Sequence, residues 1–346
     1  FSGGASDAAA IDALVELCEE RGVYLQAALF YHGAFSTDGT DAAWRDNPFN
    51  IIRNGYLSSP ELFWTDTQAR ADTKNYIRYI LARWGYSRSI FSLELCNEIT
   101  SADGENGDIK AWCEEMTAYI RANDPYGRMV SVSTASMNNT LPTDDCFDFI
   151  NVHTYRYSSV SALENQVKKL ANDYKKPVFI TEIGIDYADE IINADIFNQQ
   201  NWMGVMSSAG VGVSWYWEKI LGGVMLERLS FLSDFTANIP FESGAVGVSC
   251  TLNSTAVKAM GYATDKSARI WVYDSESIIT YTYREPDIKN RSGIKITVPL
   301  ANGTYAYKVY DTAAGSIKGS GTVKSVNGAA TVTLPEWSKS VAVEIG

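Results

Sequence analysis

Ile90 to Glu98 reads IFSLELCNE and Val178 to Glu182 reads VFITE, two apolar β-type runs that each end on a glutamate. In a parallel barrel every strand delivers its last inward side chain to the same open face, so two such strands bring two carboxylates together. The surrounding pattern supports that arrangement. Apolar residues at Ile11, Leu14, Val15 and Cys18 form a helical stripe closed by Gly22, and a strand follows from Val23 to His32. Further helices are predicted over Pro60 to Trp84, Asp108 to Asn123, Ala162 to Tyr174 and Ile196 to Ser208. Strands are predicted over Met129 to Thr134, Phe147 to Tyr155 and Gly212 to Trp217. Strands alternating with helices of this length mean a parallel sheet with crossover helices.

The pattern changes after about Pro240. Short β-type runs, Ile270 to Tyr273, Ile278 to Tyr283, Ile294 to Val298, Tyr305 to Tyr310 and Ala329 to Leu334, are separated there by Gly, Asn, Asp and Ser turns. The predicted organisation is an α/β TIM (β/α)8-type barrel over residues 1–240, followed by an antiparallel β-sandwich over 241–346. Six barrel strands are read where a closed barrel needs eight, so the barrel is expected to lack its first two strands in this chain. Two βα units, about 60–90 residues, are expected to precede Phe1.

Composition narrows the function. The 346 residues are 46% hydrophobic and 20% charged, ordinary for a globular protein with a sizeable core. A formal charge of −12 argues against nucleic acid or an anionic membrane as partner, since both require a basic surface. No apolar run reaches membrane-span length. Aromatic residues make up 12% of the chain, with 9 Trp and 20 Tyr. Most are expected in the core, leaving others to stack on sugar rings. Five cysteines at scattered spacing, with no CxxC pair, imply neither a disulfide framework nor a zinc site. Phe1 begins without an initiator Met or signal peptide, so the chain does not report its own targeting.

Strand alternation assigns faces. With Glu98 inward, Cys96, Glu94 and Ser92 are inward too, and Glu94 is expected to be paired or hydrogen-bonded one layer deeper. The same parity groups Asn151, His153 and Tyr155 on one face, Gln26, Ala28, Phe30 and His32 on another, and Trp215 with Trp217 on the last strand. Both histidines of the chain, His32 and His153, fall at strand mouths. No HxxxH or HxH pair accompanies them and no GxSxG elbow is present, so neither a metal, a cofactor nor a serine triad is called for. Two carboxylates at one barrel mouth are the equipment of glycoside hydrolysis. One ionised group attacks the anomeric carbon and one protonated group serves the leaving oxygen, ~5–5.5 Å apart in the retaining case.

Asn97-Glu98, the His-x-Tyr of His153 and Tyr155, Thr181 to Gly184 (TEIG) and Tyr216-Trp217 occur in the order seen in clan A glycoside hydrolases. The chain most resembles the family 5 cellulase and mannanase group. RWGYS (Arg83 to Ser87) and NDPYGR (Asn123 to Arg128) are similar to segments of bacterial members with a C-terminal β domain. The resemblance covers roughly Asp7 to Ile220. It implies Glu98 as general acid/base on the fourth barrel strand and Glu182 as nucleophile on the seventh. It implies further that Asn97 binds the sugar 2-hydroxyl, Tyr155 holds the nucleophile, His32 and His153 line the subsite, and Trp217 forms its floor. An Arg on the second strand, which the family also uses, is not found here and is expected in the units preceding Phe1. The loop Phe35 to Ser59, with Trp44 and Phe49, and Trp64 beyond it, is expected to wall a cleft.

The function these features imply is a retaining β-glycoside hydrolase, secreted or on a bacterial cell surface, acting on a neutral β-linked polysaccharide such as β-mannan or β-glucan. An exo-acting β-glycosidase of the same clan and a non-catalytic carbohydrate-binding protein on a degenerate barrel are the alternatives. Linkage preference and oligomeric state stay open.

Overall fold

The computed structural model describes residues 4–39, 41–155, 157, 159–184, 190–207, 210–211, 224–277 and 287–346. The chain divides into two compact units, Phe1–His153 with Tyr174–Val178, and Thr154–Asp173 with Phe179–Gly346.

The first unit is built of βα repeats. Helix α1 (Gly4–Arg21) leads to β1 (Leu25–Ala28), α2 (Thr67–Trp84) to β2 (Ile90–Glu94), and α3 (Asn106–Asn123) to β3 (Met129–Ser131). The three strands form a parallel sheet in the order β1-β2-β3. Helix α2 starts where Asp66 accepts a 2.9 Å hydrogen bond from the Ala69 amide, an N-cap that satisfies one of the helix's orphan donors. Its buried residues Ala69, Thr73, Ile77, Ile80 and Trp84 recur at helical spacing, so one stripe faces the sheet. The single helix expected from Pro60 is two elements, because a 3-10 turn at Pro60–Trp64 ends before the Asp66 cap.

Strands β1 and β2 are shorter than their sequence patterns. Pairing stops at Ala28 and Glu94, then resumes as an isolated parallel bridge between Tyr31 and Asn97. The Asn97 amide donates to Phe30 O and the His32 amide donates to Asn97 O, both at 2.9 Å. Alternation fails across this break. Phe30 does not share a face with Gln26 as parity predicted; its ring packs within 6.2 Å of Phe35, Phe63, Tyr76 and Trp112. Glu94 is buried and accepts a 2.8 Å hydrogen bond from Gln26 Nε2, the pairing expected of a deep carboxylate.

Trp44 and Trp64 line no cavity among the described residues, whereas Phe49 keeps an edge on one that Pro48 and Tyr56 of the same loop also line. Trp44, Phe49 and Trp64 are 6%, 8% and 0% exposed and belong to the hydrophobic core with Phe35, Phe63 and Trp112. Arg128, the last residue of NDPYGR, is buried against Asp124 at 2.7 Å and donates to Ile90 O and Ser87 O, both at 3.1 Å. The motif therefore clamps the turn before β3 to the start of β2. Strand β4 (Ile150–Thr154) is buried throughout. The Ile150 amide donates to Pro177 O at 2.8 Å, and the His153 amide to Thr134 O at 2.9 Å.

In the second unit α4 (Val160–Tyr174), α5 (Glu190–Met206) and α6 (Val224–Ala237) accompany the parallel pair β5 (Val178–Ile183) and β6 (Gly210–Val211). Gly210 is demanded by packing, since a methyl group there would collide with the Phe179 ring. Eleven short strands, β7 (Val246–Gly247) through β17 (Ser340–Ile345), follow in chain order. With β8 at Thr251–Leu252, β9 at Val257–Ala263, β10 at Ala268–Asp274, β12 at Lys295–Pro299, β13 at Gly303–Asp311, β14 at Ile317–Val326 and β15 at Ala329–Thr333, nine of them make one antiparallel sheet, β7-β9-β10-β17-β13-β14-β15-β12-β8, over a core that includes Ile270, Val272, Ile296, Val309, Trp337 and Val343. The predicted runs near 270, 294, 305 and 329 correspond to β10 (Ala268–Asp274), β12 (Lys295–Pro299), β13 (Gly303–Asp311) and β15 (Ala329–Thr333). The run predicted over 278–283 lies outside the described residues. Helices α5 and α6 pack on this sheet. Trp202 stacks on Trp271 with ring centres 6.4 Å apart, and Phe231 and Phe235 meet Tyr310 at 5.6 and 6.0 Å. Asp195, buried on α5, pairs with Arg228 at 2.8 Å and with Lys339.

Candidate active site

Glu98 lies four residues beyond the end of β2, and its backbone takes the left-handed conformation with φ 49° and ψ 40°. An L-residue with a Cβ pays about 1–2 kcal/mol for that conformation, so neighbouring groups must hold it. The Glu98 amide donates a 2.8 Å hydrogen bond to Ser133 Oγ, and Ser133 is fully buried just past β3. Sequence reasoning did not single out Ser133. The signal available was three hydroxyl residues, Ser131, Ser133 and Thr134, gathered at a strand end.

The carboxyl of Glu98 faces both histidines. His153 Nδ1 lies 2.7 Å from Oε1, and His32 Nδ1 lies 3.8 Å from Oε2. His153 is completely buried on β4, while Glu98 keeps 16% of its side chain exposed. Burial pushes the Glu98 carboxyl up, but the His153 hydrogen bond and the charges of His153 and His32 outweigh it, so the net shift is downward from 4.5. The group is therefore ionised at neutral pH. Asn97 carries the bridge that positions His32, and Asn151, on the same strand as His153, lies 3.5 Å from Ser131 Oγ.

In the second unit Glu182 occupies the penultimate position of β5 and is half-buried. Its Oε2 accepts a hydrogen bond from the Tyr155 hydroxyl, which is the pairing the resemblance implies for the nucleophile. Trp217, expected as the floor of the subsite, and its neighbours Trp215 and Tyr216 lie outside the described residues. The histidines, Asn97 and Glu98 thus gather in the first unit, and Tyr155 and Glu182 meet in the second.

Residues 2–219, more than half of the chain, match the model of the cellulase family. The chain belongs to glycosyl hydrolase family 5. Among family relatives, a mannan endo-1,4-β-mannosidase F from Aspergillus fumigatus is 24% identical over 147 residues, covering 42% of this chain and 31% of that protein. The chain spans no more than about a third of the length of the curated relatives it matches. Among solved structures, an endo-β-1,4-mannanase from Thermotoga petrophila superimposes with a TM-score of 0.52 at 13% identity, covering 96% of this chain and 81% of that one. A glycoside hydrolase family 30 subfamily 8 xylanase from Clostridium acetobutylicum gives 0.53 at 14% identity, covering 94% and 89%. At such identities the likeness concerns the fold, which is of the TIM-barrel type followed by an antiparallel β domain. Among the described residues no helix is long and apolar enough to cross a membrane.

Proposed function

We propose that this family 5 chain is a retaining β-glycoside hydrolase acting on a neutral β-linked polysaccharide, with β-mannan ahead of β-glucan. Glu182 attacks the anomeric carbon to form a glycosyl-enzyme ester, and Glu98 protonates the departing glycosidic oxygen. Glu98 then takes a proton from the water that cleaves the ester. Asn97 binds the 2-hydroxyl, Tyr155 orients the nucleophile, His32 and His153 flank the acid/base, and Trp217 supplies the floor.

The observation that carries this reading is the setting of Glu98. A glutamate held in a left-handed backbone by Ser133, with histidines at 2.7 and 3.8 Å, is arranged for proton transfer rather than for packing. Its lowered pKa belongs to the sugar-free state. A bound sugar adds desolvation, the influence that already raises this carboxyl, and so favours the protonated form that donation requires. The choice of mannan rests on the names of the curated fungal relatives.

The test is hydrolysis of a panel of β-mannan, β-glucan and β-xylan, with the anomer of the first product followed by proton NMR. Retention yields the β-anomer first. The α-anomer sinks double displacement, release of only terminal sugars favours the exo-acting reading, and binding without any hydrolysis favours a carbohydrate-binding protein.

A further inference from the structure

We propose that Tyr31 is a sugar-stacking platform beside the acid/base, a subsite contact for a neutral β-1,4-linked hexose chain; this rests on the hydrolase reading above. Tyr31 immediately precedes His32 and is 45% exposed, whereas Phe35, Phe49 and Phe63 nearby are buried. Other tyrosines, Tyr56 and Tyr86 among them, are as exposed; what sets Tyr31 apart is that its ring meets His32 beside Glu98.

Its position is fixed from three sides. The Tyr31 backbone forms the isolated parallel bridge with Asn97, next to Glu98. Its ring meets the His32 imidazole edge to face, with centres 6.1 Å apart, and that imidazole reaches to 3.8 Å from Glu98. Beneath it, Gly33 leaves the space the ring needs, since a methyl group at Gly33 would collide with the Tyr31 ring and with the carbonyl of Asp41. The ring is therefore held on one side by the start of the 3-10 turn His32–Phe35 and is open to solvent elsewhere. A preorganised aromatic plane loses little entropy on contact, and the C–H face of a hexose covers it as an apolar ligand would. Trp44 and Trp64 are buried, whereas Tyr31 is, among the described residues, an exposed ring that adjoins His32 of the Glu98 cluster.

The test uses the full chain and its Tyr31→Ala and Tyr31→Phe variants, with mannohexaose and cellohexaose as probes, binding by calorimetry and folding by thermal melts. Tyr31→Ala is expected to weaken hexaose binding about five- to tenfold, and Tyr31→Phe, which keeps the ring, to stay within about twofold of the parent. In turnover the loss falls on KM rather than kcat and is larger for the hexaose than for an aryl mannobioside. Equal binding by parent and Tyr31→Ala overturns the proposal. So does a Tyr31→Phe loss as large as that of Tyr31→Ala, or a parent chain that binds neither hexaose. A parent that binds through Tyr31 but hydrolyses nothing overturns the hydrolase reading and leaves the platform standing.

Discussion

Replacing His153 by alanine isolates what sets the ionisation of Glu98. The substitution removes the 2.7 Å contact to Oε1 and the imidazole charge, while the burial that pushes the carboxyl up remains. The Glu98 pKa must rise. A hydrogen bond to a charged group is worth about 1.5–3 kcal/mol, and the 16% exposure of Glu98 places this one towards the lower end. Because His153 is completely buried, the vacated imidazole site costs about 1 kcal/mol more, for a total of about 2.5–3 kcal/mol at pH 7. The folded pKa of Glu98 lies below 4.5, so the contact stabilises the protein above that pH and ceases to as pH falls through the folded value. The stability gap between parent and His153→Ala should accordingly narrow in acid, which urea titrations across that range measure. In catalysis the basic limb of kcat/KM, which reports the protonated acid of the free enzyme, should move to higher pH. Loss of alignment should lower kcat by about a hundredfold. A basic limb that stays in place or moves down, together with a stability gap that does not narrow in acid, would refute the assignment of Glu98 as a His153-tuned acid.

Glu182→Ala should abolish turnover of every substrate, while Glu98→Ala should lose about 10²–10⁴-fold on polysaccharide but far less on dinitrophenyl glycosides, whose leaving group needs no proton. Equal losses on both substrate types for Glu98→Ala would contradict the division of roles. Ser133→Ala strands the Glu98 amide and should cost about 1–3 kcal/mol in chemical denaturation. It should lower kcat more than KM, with Ser133→Thr restoring part of the loss, since Ser133 acts by positioning Glu98. Arg128→Met removes the cation paired with buried Asp124, which keeps only the amides of Tyr126 and residue 128, and should destabilise by about 3 kcal/mol, read as an early thermal transition, with the pH profile of any surviving activity unchanged.

Much of the βα pattern was legible because its signals are local. Helical stripes such as Ile109, Trp112, Met116 and Ile120 follow from spacing within one turn of chain. Where the reading failed, the deciding group was distant. Nothing between Val23 and His32 announces that pairing stops after Ala28; the break depends on Phe30 finding Trp112 and Tyr76 on two later helices. Helix α6 was not foreseen, although its buried residues Met225, Arg228, Leu232 and Phe235 keep helical spacing. The interruption is Arg228, whose burial makes sense only once Asp195 on α5 lies beside it. The burial of Trp44 and Trp64 is hidden for a related reason, because a loop rich in aromatics reads the same whether its rings fold inward or line a groove.

For the proposed site, the candidate residues can be read from the sequence and their posture cannot. Asn97-Glu98, His153 and the glutamate of VFITE could be picked from strand-end position alone, since the chemistry demands those residue types at that place. A straight strand to Glu98, however, would have delivered its carboxyl by simple alternation. The chain instead leaves the sheet at Glu94, rejoins it at Asn97 and turns Glu98 into the left-handed region. That turn is held because Ser133, just past β3, accepts from the Glu98 amide and His153 on β4 lies 2.7 Å from its carboxyl oxygen, contacts 35 and 55 residues downstream. The local strain is thus supported by the neighbouring strands of the barrel wall. On the proposed role, this is why a glutamate rather than a glycine or asparagine, which would adopt the conformation more cheaply, occupies the position: its carboxyl would serve the reaction, and the fold supplies the partners that keep it.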